Sequence, residues 1–179
     1  MRESAVLVLI FLACIGSANA QQITIGTGAG IGLQVNQYQQ DFGVGVNLSG
    51  PYVAHDKLAV RLRGNMQFHE HTEDNETTWT PYFNASLGLI TVSGNAGDAI
   101  RLYSEGGVIG LFPSNEFSSE SIVFGGYGLF GFEFFMSNRN NYFIEIGGVG
   151  TGAKADRLPS APVYSNGLLI NTGFRIHLR

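Results

Sequence analysis

Cysteine is almost missing from this chain: of its 179 residues only Cys14 carries a thiol. No intrachain disulfide can form, so packing and hydrogen bonding must hold the fold together. Charge is scarce too, at 13% Asp, Glu, Lys and Arg, where a soluble globule takes about a quarter of its residues as charged. A wall with so few ions suits an apolar neighbour. Excess positive charge is also lacking, since setting aside Arg2 and Glu3 with the first 20 residues leaves nine cations against thirteen acids. That balance argues against a nucleic-acid partner.

A helix long enough to cross a bilayer is not offered by the N-terminus. The apolar run from Ala5 to Ile15 falls well short of the roughly 20 residues such a helix needs. With Arg2 before it and Ala18-Asn19-Ala20 after it, the segment reads as a secretory signal peptide over residues 1–20, cleaved after Ala20. Cys14 follows Phe11-Leu12-Ala13, a poor approximation to a lipoprotein cleavage pattern, and is expected to leave with the leader. Residues 21–179 are one domain in size, and no separate periplasmic domain is expected after Arg179.

What the chain does have is glycine, 25 residues, phenylalanine, 13 residues, and strict alternation. From Leu58 to His69, Leu58, Val60, Leu62, Gly64, Met66 and Phe68 alternate with Ala59, Arg61, Arg63, Asn65, Gln67 and His69. Period two means a strand. Ten steps of about 3.3 Å, tilted by roughly 40°, project to about 25 Å, the height of the apolar band of a membrane barrel.

The same pattern recurs along the chain. Strands are expected over 23–34, 42–49, 58–69, 79–92, 100–112, 122–135, 142–149 and 168–178, with apolar rows on one face and glycine, amide and ionic rows on the other. The Gly-rich stretch from Gly26 to Gly32 is no phosphate loop, because neither the G-x-G-x-x-G register nor a following helix pattern is present. Eight strands are an even number, and an open sheet in lipid would leave edge groups unpaired, so strand eight must close on strand one. The expectation is an all-β, eight-stranded antiparallel up-and-down transmembrane β-barrel. Segments 35–41, 69–78, 113–121 and 151–163 fall on its outer side, and 49–57, 93–98 and 136–141 on the periplasmic side.

The mature chain resembles the small eight-stranded outer-membrane barrels of Gram-negative bacteria, the group of the outer membrane protein A transmembrane domain and the opacity-type proteins. The likeness rests on Leu102-Tyr103-Ser104-Glu105-Gly106-Gly107-Val108, on Gly131-Phe132-Glu133-Phe134-Phe135 followed by Tyr142-Phe143-Ile144-Glu145, and on Gly173-Phe174-Arg175-Ile176-His177-Leu178. It departs from that group in ending Leu178-Arg179 where such chains usually end in an aromatic residue. The resemblance implies an outer-membrane location and contact with membrane lipids, lipopolysaccharide and the outer-membrane assembly machinery.

Placed by height, the inward charges Arg61, Arg63, Arg101, Glu133, Glu145, Arg175 and His177 fall in the periplasmic half, with Glu105 nearer the middle. Four arginines and three glutamates in a narrow lumen are costly unless paired. They are expected to form a mutually neutralising plug. A lighter inner face should lie above it, built from Gly28, Gly30, Asn65, Gln67, Tyr82, Asn84, Gly107, Gly125, Tyr127 and Gly147. Eight strands leave room only for side chains, so an open porin is not expected.

Other candidates are weaker. His69-Glu70-His71-Thr72-Glu73-Asp74-Asn75-Glu76 could hold a divalent cation, but such a run is more often a solvated loop, and no metal or cofactor is assigned. The glycosylation patterns at Asn47, Asn75 and Asn84 carry no meaning in a bacterium. Hydrolase chemistry on the outer wall would need a histidine and a serine side by side with an orienting acid. His69 and His71 have no suitably spaced serine, His177 is at the wrong end and His55 is in a turn, so no enzyme is expected. The reading is a monomeric structural, adhesion or surface-interaction barrel acting through its outer loops. The alternatives are a barrel conducting small solutes, or a secreted lipocalin-like carrier with its apolar face inward.

Overall fold

The computed structural model describes residues 25–73 and 76–178. The leader and its cleavage site, Ile23 and Thr24 of the expected first strand, Asp74, Asn75 and Arg179 lie outside the described residues. Eight strands follow in order: β1 (Gly30–Tyr38), β2 (Asp41–Ser49), β3 (Leu58–Glu73), β4 (Glu76–Ala96), β5 (Ile100–Phe112), β6 (Val123–Phe135), β7 (Asn140–Gly150) and β8 (Gly167–His177). Each pairs antiparallel with its sequence neighbour. β1 pairs with β8 from Gly30–His177 to Tyr38–Leu169, which closes the barrel. Closure satisfies the edge groups that an open sheet would leave bare.

Alternation sets the two sides apart. Leu62 and Phe132 are 49% and 41% exposed on the outside, while Arg61 and Glu133 are fully buried inside. A soluble carrier barrel has these sides the other way round. Register makes the outer rows continuous, as in Leu48, Leu62, Leu87 and Val108, which sit opposite one another across β2 to β5. Aromatic rings gather at both ends of this belt. Phe42 lies 5.5 Å from Phe68 and 6.3 Å from Trp79 towards the outer end, and Tyr142 lies 6.4 Å from Phe134 and 5.2 Å from Phe174 towards the other. Such girdles mark the interfaces of a membrane barrel.

Several expected boundaries move. Among the described residues the first strand begins at Gly30, leaving 25–29 outside it, and runs on through Tyr38, so 35–41 is no loop. Only Gln39 and Gln40 turn the chain, with Gln39 in the left-handed region at φ 56°. Asn36 was read as loop material, but its amide bonds Asn65 and Gln67 across the lumen. The shift also lowers Gly28 and Gly30. Gly28 accepts a bond from His177 and Gly30 lies beside the Arg175 stem, so both sit at the periplasmic end and not above the plug.

Residues 69–73 and 76–78 are likewise strand. β2 pairs with β3 only as far as Phe42–Phe68, and β4 with β5 only from Phe83–Phe112. Beyond those pairs, β3 and β4 continue as a two-stranded ribbon standing above the barrel, from His69–Thr80 to Glu73–Glu76. On the periplasmic side β4 continues through Ala96, past a shift of register between Val92 and Gly94. The connections 113–122 and 151–166 remain the long outer loops.

Candidate functional site

The strands bring seven inward charges into one network. Arg61 Nη1 donates to Glu105 Oε2 at 2.8 Å and to Glu145 Oε1 at 2.9 Å. Arg63 reaches the same two acids at 2.6 and 2.7 Å. Arg101 binds Glu133 at 2.9 Å, and Arg175 binds Glu133 from the other side. Each charge is buried. Neutral donors complete the carboxylates: Asn171 and Tyr103 bond Glu145, and Tyr127 bonds Glu105. One surplus positive charge remains, and aromatic faces receive it. Arg175 lies 4.3 Å from the centre of Phe143, and Arg101 lies 4.2 Å from that of Tyr52.

His177 stands apart from this exchange. Its ring nitrogens meet Asn141 at 2.9 Å and the Gly28 carbonyl at 3.1 Å, and it stacks on Phe135. It lies at the periplasmic end of the lumen.

Above the ions lies a layer of amides. Gln34 and Asn36 donate to Asn65, which donates to Asn84, and Asn47 donates to Gln34. Asn47 and Asn84, two of the glycosylation-pattern residues, are therefore lumen groups. On the facing side the interior is apolar, with Ile109, Leu111, Leu129, Val149 and Leu169 buried from β5 to β8. Sequence reasoning placed Val149 inward but emphasised glycine and polar residues there, and missed the rest of this half. The same alternation that places Glu105 inward carries Ile109 and Leu111 inward too.

The outer mouth is closed by the two long loops. Phe117 and Tyr164, both buried, meet edge to face at 5.0 Å over Tyr82 and His69. The loops are tied to each other, with Ser119 donating to Asp156 through backbone and hydroxyl and Arg157 donating to the Phe117 carbonyl at 3.1 Å. Those bonds hold the Asp156 carboxyl below its usual range, and burial pushes the Tyr164 phenol up to about 12. Asp41, at the start of β2, anchors the mouth to the wall. It accepts from His69 Nδ1 at 2.8 Å, from the Tyr82 hydroxyl at 2.7 Å and from the Ser165 amide at 3.0 Å. His69 thus lies inside the mouth rather than in a solvated loop, while His55 is exposed in the periplasmic turn.

Glycines make room for this filling. The Tyr103 ring lies against Gly131, where a Cβ would collide with it. Gly131→Ala is expected to cost about 1–3 kcal/mol, because the ring cannot retreat without breaking its bond to Glu145. Urea unfolding in lipid vesicles measures it, and an unchanged midpoint would show the ring to be free.

A closed eight-stranded antiparallel barrel, apolar outside and ionic within, defines the architecture of the small outer-membrane barrels. No family model matches the sequence, and no curated protein matches it. Solved structures do. The N-terminal β-barrel domain of Pseudomonas aeruginosa OprF aligns with a TM-score of 0.61 at 12% identity, over 86% of this chain and 98% of that one. The outer membrane protein OprG from the same organism aligns with a TM-score of 0.58 at 13% identity, over 87% and 98%. At such identities the likeness is one of fold.

Proposed function

We propose that the protein is an integral, non-enzymatic outer-membrane barrel with a shut lumen, acting through the groups it presents outside the cell. The observation that carries this is the pairing of an apolar outer belt with a fully buried network of four arginines and three glutamates. Water-filled pores have no need to pair their inward ions so closely, and an interior of this width fills with side chains. The two tied loops and the β3–β4 ribbon are the surfaces open to a partner. Membrane lipid and lipopolysaccharide would surround the belt, with the assembly machinery inserting a monomer.

Planar bilayers containing the purified barrel are expected to show no reproducible conductance steps. Regular pore-sized steps would refute the shut lumen and favour a solute-conducting barrel. Membrane fractionation tests location separately, since recovery without detergent would contradict integration.

A further inference from the structure

The outer mouth holds polar groups that the fold leaves without partners. His69 and His71 are alternate residues of β3 and lie on one face of it, with ring centres 6.0 Å apart and planes within 21° of parallel. His69 is 4% exposed. Among the described residues its Nε2 is buried with no hydrogen-bond partner, and so is Nδ1 of His71. A buried nitrogen left unsatisfied is costly.

Asp41 explains how His69 is oriented. A carboxylate accepts, so in the neutral ring the His69 nitrogen 2.8 Å from Asp41 carries the hydrogen and the lone pair is left on Nε2. A carboxylate fixing one ring nitrogen while the other is free to bind is how proteins prepare histidine for a metal. Ring centres 6.0 Å apart are within reach of one metal at about 2.0–2.1 Å from each ring once the half-buried His71 ring turns out of its near-parallel stack, so that both in-plane lone pairs meet. Imidazole donors suit zinc, copper or nickel, whereas calcium and magnesium prefer oxygen.

We propose that His69 Nε2 and His71 Nδ1 form a binding site for one zinc-like divalent transition metal at the outer mouth of the barrel. Water completes its coordination from the side of the half-buried His71. The Tyr164 and Ser165 side chains line a small space beside His69. Among the described residues no third histidine, cysteine or carboxylate joins the pair. The site is therefore exchangeable, unlike a four-ligand structural zinc. It does not depend on whether the lumen conducts.

The test is calorimetric titration of the full barrel in detergent with zinc chloride alone, in a Cys14→Ser background, with calcium chloride as comparison. One zinc equivalent is expected and no calcium. His71→Ala, on the free ribbon and remote from the ionic layer, should weaken uptake at least tenfold while the strand circular dichroism stays unchanged. His69→Ala should do the same, Asp41→Asn should weaken it about 10- to 100-fold, and His55→Ala should leave it alone. Absence of saturable zinc heat, uptake unchanged in His71→Ala, or uptake lost in His55→Ala would each overturn the site.

Discussion

Glu145→Ala is expected to destabilise the barrel by about 3–5 kcal/mol, the cost of leaving a buried charge without its partner. Its fully buried carboxylate receives Arg61, Arg63, Tyr103 and Asn171. Truncation strands two guanidinium groups, with only Glu105 still close to both. The single tryptophan, Trp79, is exposed near the outer girdle, so its fluorescence follows urea unfolding from lipid vesicles. The double change Arg63→Met with Glu145→Leu should recover most of the loss, because removing both partners also removes the desolvation cost. A loss below about 1 kcal/mol for the single change would mean that water reaches the network, and the shut lumen would fail with it.

Much of the barrel was legible because the two sides of its wall differ so sharply. From Leu58 to Phe68 every outward residue is apolar or glycine, and the inward row carries two arginines and two amides. A slip of one residue would put Arg61 in the belt, so register is written in the sequence. The meeting of Arg61, Arg63, Arg101, Arg175, Glu105, Glu133 and Glu145 follows from the same rule, since strand direction fixes the height of each.

Strand ends were harder to read, and for a physical reason. Gln34, Asn36, Asn65 and Gln67 have the composition of a loop, but inside a narrow barrel they pair with one another and extend the sheet. Polar character alone does not distinguish an amide facing water from one facing a lumen. The mouth was legible in parts only. Asp41, His69, Phe117 and Tyr164 come from four separate segments, and no local pattern announces that they meet. His-x-His on β3 was visible as a possible cation site, yet its meaning depends on an aspartate 28 residues away.

Leu62→Arg tests the assignment of sides directly. Leu62 lies between Leu48 and Leu87 on the outer wall, well below the Phe42–Phe68–Trp79 girdle. In a water-soluble barrel an exposed leucine replaced by arginine is nearly free of cost, because the guanidinium is solvated. In lipid the same change near the midplane costs about 2–4 kcal/mol and falls to about 0–1 near the interfaces. Val53→Arg supplies the comparison, since Val53 is also exposed but lies in the periplasmic turn beyond β2. Leu62→Arg should therefore shift the urea midpoint in vesicles strongly and Val53→Arg hardly at all. Equal behaviour of the two would mean that depth along the wall carries no energy, which is incompatible with a belt in contact with acyl chains.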